Sequence, residues 1–216
     1  MRQRDIFLAG EGDAWFARNA DSVSAAKSPQ DDPLLEAIAG LPLAGTAPAK
    51  VLEIGCGAGS RLAWLGRHLG MICHGIDPSA RAVDAARRLG VDAQRGTAES
   101  LPFADRMFDC VVFGFCLYLC DRDDLFRVAA EADRVLASPG WMLILDFYSP
   151  LPTRRPYHHR EGVFSYKMDY RSLFCWHPAY TVYSHKVIHH STHSYTDDPN
   201  EWTAVSVVRK APLSGD

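Results

Sequence analysis

Val51-Leu52-Glu53-Ile54-Gly55-Cys56-Gly57-Ala58-Gly59 decides the reading of this chain. Four strand-forming residues run straight into three glycines at alternate positions. Residues 61–69 then carry Leu62, Leu65 and Leu69, the three-to-four spacing of a helix with one buried face. A glycine turn between strand and helix lets the backbone approach a ligand closely, because glycine has no Cβ and tolerates positive φ. Alone, such a turn also suits dinucleotides, and some are only tight turns.

The same rhythm continues outward. Residues 71–76 read as a second strand, and Ser79 is placed to cap a helix over 80–89 that stops at Gly90. Residues 91–95 and 108–113 read as strands three and four, the fourth apolar on both faces. A helix over 121–136, ended by Ser138-Pro139-Gly140, leads to a fifth strand at 141–147. Repeated βαβ units of this kind predict an α/β fold: a Rossmann-like, doubly wound, mostly parallel sheet. Residues 180–190 and 203–209 alternate as a strand pair joined by the turn-like Asp197-Asp198-Pro199-Asn200, which gives an antiparallel last strand.

Two segments break the pattern. Residues 1–45, with helices expected over 13–19 and 33–38 around a polar loop, read as an N-terminal helical lid. Residues 148–178, rich in Pro, His, Tyr and Arg, read as an insert after the fifth strand, with a short helix opening at Asp169. The expectation is one domain over 1–216: lid 1–45, ligand-binding core 51–147, substrate-side insert 148–178 and final strand pair 179–210.

Four ordered motifs together resemble the class I S-adenosylmethionine-dependent methyltransferases, over about residues 50 to 147. The 51–59 stretch resembles motif I, with Glu53 two positions before the first glycine. His74-Gly75-Ile76-Asp77-Pro78-Ser79 resembles the second motif, whose acidic residue accepts both ribose hydroxyls; a carboxylate can accept two hydrogen bonds at once. Gly96-Thr97-Ala98-Glu99-Ser100-Leu101-Pro102-Phe103 is similar to the adenine loop of the type 11 subgroup, with Thr97 where Asp is usual. Residues 108–115 resemble the fourth strand and its exit beneath the methionine part of the cofactor. The resemblance implies S-adenosylmethionine held by Glu53, Gly55, Cys56, Gly57, Gly59, Asp77, Pro78, Thr97, Ala98, Glu99, Phe113, Gly114 and Phe115. Many relatives next show a histidine. This chain has Cys116-Leu117-Tyr118-Leu119-Cys120, so no catalytic histidine is carried over.

Ligands of open sheets bind outside the carboxyl ends of the strands, which puts 113–118, 147–150 and the insert near the reacting methyl group. The candidate catalytic residues there are His158, His159 and Tyr118; an unperturbed imidazole titrates near neutrality, although a histidine in a loop is more often a surface group. Arg154 and Arg155 either clamp an anionic substrate or form an exposed charge pair. Asp13 is placed to cap the 13–19 helix. On that helix, Trp15 either covers the cofactor, with Arg18 or Asn19 reaching its carboxylate, or serves as an aromatic staple.

Composition bounds the partners. A net charge of −3 without a basic stripe favours a small-molecule substrate over nucleic acid. The longest apolar runs are far short of a membrane span, and no apolar leader follows Met1-Arg2-Gln3-Arg4-Asp5. Cys56, Cys73, Cys110, Cys116, Cys120 and Cys175 show no Cys-x-x-Cys spacing, and adjacent histidines on a strand point to opposite faces. No metal is therefore expected, and reduced thiols suit a cytoplasmic protein, monomer or homodimer being left open. The expected function is methyl transfer to an O or N atom of a small polar metabolite, a sugar being one candidate. A cofactor-binding protein of the same fold without turnover, or a nicotinamide-dependent oxidoreductase, is the alternative; the early third glycine argues against the oxidoreductase.

Overall fold

Val51, Leu52 and Ile54 are almost wholly inaccessible to solvent, as required of a strand covered on both faces. They belong to β1 (Lys50–Ile54), which pairs in parallel with β2 (Ile72–Asp77) on one side and β4 (Phe108–Gly114) on the other. The computed structural model describes residues 2–25, 27–43 and 48–212. Adding β3 (Asp92–Arg95), β5 (Leu136–Phe147), β8 (Tyr180–His189) and β9 (Trp202–Lys210) gives a seven-stranded sheet ordered β3-β2-β1-β4-β5-β9-β8. β9 runs antiparallel to both β5 and β8, so β8 points the same way as the parallel strands. The expected α/β sheet with an antiparallel last strand is what forms.

Alternation along the strands sorts the core into two layers. Leu52, Ile54, Val111, Phe113 and Ile144 pack against α7 (Leu125–Val135). Val51, Cys110, Val112, Leu143 and Leu145 pack against α4 (Pro33–Ala39), α5 (Ser60–Leu69) and α6 (Ala80–Arg88). Local chemistry sets the helix starts. Asp32 Oδ1 accepts from the Leu34 and Leu35 amides at 3.0 and 3.1 Å ahead of Pro33, and Ser79 Oγ accepts from Ala82 N at 3.0 Å.

Several bounds differ from those expected. The helix expected over 121–136 is a 3-10 turn, Arg122–Asp124, followed by α7, and β5 begins at Leu136. Its ladder with β4 shifts between Phe108 and Cys110, so Ser138-Pro139-Gly140 sits in the irregular start of the strand. The insert carries a hairpin of β6 (Thr153–Pro156) and β7 (Phe164–Lys167), then a 3-10 turn, Tyr170–Leu173, capped by Asp169.

At the N-terminus the helical segment is longer than 13–19: α1 (Gln3–Ile6), a π-helical turn (Phe7–Glu11), α2 (Gly12–Arg18) and α3 (Ala20–Ser24). Gln3 is buried because its side-chain amide donates to Leu119 O at 2.8 Å and accepts from Phe164 N at 2.6 Å. Anchorage by a polar side chain leaves no apolar period to read. Of the 1–45 range, residues 1, 26, 44 and 45 lie outside the described residues. No described helix is long and apolar enough to cross a membrane.

Candidate active site

The strand order reverses between β1 and β4, which opens a crevice at the carboxyl ends of the sheet. A cavity of about 600 Å³ lies there. Of the residues expected in the site, Trp15, Glu53, Gly55, Cys56, Gly57, Asp77, Pro78, Thr97, Ala98, Glu99, Gly114, Phe115 and Tyr118 line it.

The glycine turn and Asp77 form one unit. Gly57, at φ 54°, donates its amide to Asp77 Oδ2 at 2.9 Å, and Ser79 N donates to Oδ1 at 2.9 Å. Burial nevertheless pushes the Asp77 carboxyl up to about 6. Gly55, at φ 77°, has no room for a side chain, since a Cβ there would lie 2.6 Å from Cys116 Cβ. Gly59 works differently. It does not line the cavity; a Cβ would meet Ala86 Cβ at 2.8 Å, so this glycine lets α5 and α6 pack, and its expected cofactor contact is corrected to a packing role.

Beneath the turn, Arg61 donates through Nη1 to Glu53 Oε1 and holds Asp32 through Nη2 at 2.8 Å and Nε at 3.1 Å. Asp32, with that grip and two backbone amides, is held below its ordinary value even though burial opposes it. Burial wins at Glu53, whose carboxyl is pushed up to about 7 although Arg61 pulls the other way. Among the described residues Glu53 Oε2 is buried with no hydrogen-bond partner, a state that costs on the order of 1–3 kcal/mol unless a ligand completes it.

At the other end, Thr97 Oγ1 donates to Glu99 Oε1 at 2.5 Å, and Arg4 Nε lies 3.6 Å from the same oxygen. Thr97 thus orients a carboxylate. Phe113 is buried in the core beside Phe174 rather than at the cavity, which corrects its expected contact. The next two residues do line it. Phe115 adopts φ 54°, a left-handed conformation worth roughly 1–3 kcal/mol of strain in a non-glycine residue. Its amide donates to Leu145 O at 2.8 Å. Asp146 braces the following turn by accepting from Leu117 N at 2.8 Å, Tyr118 N at 3.3 Å and Phe147 N at 2.8 Å, while burial lifts its carboxyl to about 7.

The N-terminal helices cover this opening. Trp15 Nε1 donates to the Tyr118 hydroxyl at 3.1 Å, and burial raises that phenol well above its ordinary range, so it stays neutral near pH 7. Asp13 does not cap its own helix. It accepts from Ser79 Oγ at 2.6 Å and Arg81 N at 3.1 Å, tying α2 to the start of α6. Arg18 does not line the cavity either; it is turned to Glu11 at 2.5 Å and the Tyr157 hydroxyl at 2.8 Å, which corrects its expected reach to the cofactor.

His158 and His159 are exposed between β6 and β7, and neither lines the cavity, so the expectation of a base there is corrected. Arg154 and Arg155 are exposed too, one over the Phe164 ring at 4.5 Å and one donating to Asn200 Oδ1 at 3.1 Å. The residues missed are His190, Ser191 and His193, which line the cavity from the β8–β9 turn. The signal was available: an antiparallel last strand makes its partner parallel to the rest, and a parallel strand delivers its exit turn to the ligand side.

A family model for the methyltransferase domain, type 11, matches residues 52–144. The uncharacterised methyltransferase YcgJ of Bacillus subtilis is 35% identical over 112 residues, 48% of this chain and 43% of that one. The fatty-acid O-methyltransferase of Mycolicibacterium smegmatis is 33% identical over 102 residues, 45% and 36% of the two chains. Residues 52–144, somewhat under half of the chain, thus match a methyltransferase domain of type 11, and the chain is similar to these methyltransferases. The match spans less than half the length of these two curated relatives. Fold likeness reaches further: the 1,6-didemethyltoxoflavin-N1-methyltransferase of Burkholderia thailandensis superposes with a TM-score of 0.67 over 97% of this chain and 87% of that one, at 20% identity.

The Burkholderia thailandensis structure holds S-adenosylhomocysteine, the product form of S-adenosylmethionine, and the residues present in this chain fit that cofactor. Glu53 Oε2 lacks a partner that a cofactor ammonium could supply. Asp77 retains lone pairs beyond the two backbone amides it accepts. Gly55 and Gly57 leave the backbone bare where a ligand must come close. Among the described residues no His, Cys, Asp and Glu cluster could hold a metal ion.

Proposed function

We propose that the protein transfers the methyl group of S-adenosylmethionine to an oxygen or nitrogen atom of a small molecule. The observation that carries this reading is the pairing of an unsatisfied buried carboxylate, Glu53, with a glycine turn bonded to Asp77, in one cavity that also has a separate aromatic end. The proposed contacts are Glu53 and the Gly55–Gly57 backbone at the methionine part, Asp77 at the ribose, and Thr97, Ala98 and Glu99 at the adenine. Bound there, the cofactor supplies a methyl carbon already activated by its sulfonium, so the protein's task is positioning and, where needed, proton removal.

Phe115, Tyr118 and Phe147 wall the acceptor end, with Phe147 5.3 Å from Phe115 and 5.0 Å from Tyr118 by ring centroid. Such rings suit a flat or ring-shaped body carrying a hydroxyl or amine, a sugar or another polar metabolite. The names of two similar proteins, a fatty-acid O-methyltransferase and an N1-methyltransferase of a toxoflavin precursor, keep both oxygen and nitrogen acceptors open. All six cysteines are free, which supports a cytoplasmic location. Incubation with methyl-labelled cofactor and a panel of hydroxyl and amine acceptors tests the reading. Label should move to at least one acceptor; cofactor bound but never consumed would favour a binding protein instead.

A further inference from the structure

The acceptor end of the cavity holds few groups able to take a proton near neutral pH. Burial keeps the Tyr118 phenol and the Cys116 thiol protonated, and Asp146, behind the wall and not lining the cavity, is committed to three backbone amides. His190 is different. Its ring lines the cavity, 5.5 Å from the Phe147 centroid and 6.2 Å edge-on from that of Phe115. Its Nδ1 lies 3.0 Å from Ser191 Oγ and 3.9 Å from Glu201 Oε2, while its backbone amide donates to Glu201 O at 2.8 Å. These polar contacts of the ring fall on Nδ1, which leaves Nε2 for a ligand.

We propose that His190 is the proton acceptor for the atom being methylated, with Glu201 as the positioning residue that stabilises its imidazolium. The inference rests on the methyl-transfer reading above. In the step, the acceptor's O–H or N–H bond breaks and its proton passes to Nε2 of neutral His190. The pair left on oxygen or nitrogen forms the bond to the methyl carbon, and the pair of the breaking C–S bond stays on sulfur. The other charged groups around the ring are few. His189 shares Glu201 at 3.8 Å, His193 lines the cavity from the same turn, and Lys167 Nζ stands 5.3 Å from the Phe147 centroid. Among the described residues His193 has no ring contact of the kind that holds His190 against Phe147; its φ is 56°, and its amide donates to His189 O at 3.0 Å.

The test needs no acceptor. The imidazole signals of the full chain, with His190 assigned through His190→Gln, are titrated by NMR with S-adenosylmethionine bound and, separately, with S-adenosylhomocysteine bound. The first ligand carries a sulfonium charge that the second lacks. A unit charge within about 7 Å, at an effective dielectric of about 20, lowers an imidazole pKa by more than about one unit. The expected result is a His190 pKa lower by about one unit or more with S-adenosylmethionine, and no change at exposed His158. Glu201→Gln should lower the His190 value by roughly half a unit with either ligand. His190→Gln should leave S-adenosylhomocysteine affinity within about threefold. Equal His190 values with the two ligands, or a ring still protonated at pH 7.5 with the methyl donor bound, would overturn the proposal. A loss of affinity beyond about tenfold in His190→Gln would also overturn it, by making His190 a cofactor contact. Failure of both ligands to bind would instead remove the methyl-transfer reading itself.

Discussion

Glu53→Gln should remove most of the pH dependence of cofactor binding. In the free protein the Glu53 carboxyl titrates at about 7, and its Oε2 is unpaired. A cofactor ammonium placed against that oxygen favours the ionised form, so binding draws the pKa down, and affinity must fall as pH drops through 7. If the bound value returns to the ordinary 4.5, affinity for S-adenosylhomocysteine falls by about 20-fold between pH 7.5 and 5.5. Asp77, which titrates at about 6, adds a factor of about four in the same direction if its bound value returns to the ordinary carboxylate range. Glutamine keeps the shape of Glu53 and cannot ionise, so the variant should retain only the roughly fourfold residue. Its affinity at pH 7.5 should be about tenfold lower through the lost charge-assisted contact. Calorimetric titration at three pH values reads both numbers. A wild-type affinity flat within twofold over that window would exclude a cofactor ammonium at Glu53 Oε2, as would a variant that keeps the full dependence.

Three further outcomes are expected. The free protein should unfold several degrees higher at pH 5.5 than at pH 8, because Glu53, Asp77 and Asp146, raised to about 7, 6 and 7, bind more protons folded than unfolded. Stability from these groups is complete below the unfolded carboxylate values and is lost as pH rises through 6 to 7, so a melting temperature that climbs steadily to pH 8 contradicts the burial of all three. Gly59→Ala should cost about 2 kcal/mol or more, from its left-handed φ of 71° and the Ala86 contact, yet change affinity in the folded fraction by only a few-fold. Denaturant unfolding paired with titration separates those effects, and a stable variant with lost affinity would return Gly59 to the ligand. Asp146→Ala strands three backbone donors and should cost about 3 kcal/mol or more by the same unfolding assay; a loss under about 1 kcal/mol would mean that water replaces the carboxylate.

What could be read in the sequence was what local period and turn chemistry control. Strands β1 to β5 and β8 to β9, the Ser79 cap and the glycine turn follow from apolar alternation and residue type, and they formed at or near the expected positions. The cofactor half of the cavity followed because its residues lie within a few positions of strand ends. Other features depended on partners distant in sequence. Asp13 caps a helix 66 residues away through Ser79 instead of its own. Gln3 is buried by bonds to Leu119 and Phe164. Of the two residues expected to reach the cofactor carboxylate, Asn19 lines the cavity, whereas Arg18 is held by carboxylate and phenol partners, Glu11 and Tyr157. His158 and His159 looked suitable by composition, whereas the direction of β8 decides that His190 and His193 reach the ligand side. Side-chain type alone carries no such direction.

One titration reads whether the glycine turn, Glu53 and Asp77 form the cofactor cradle. Calorimetry of the wild-type chain and Asp77→Ala with S-adenosylhomocysteine at pH 7.5 should give one site on the order of micromolar for the wild type, weakened at least about tenfold by the substitution. No binding by the wild type, or an affinity indifferent to Asp77, would contradict that cradle.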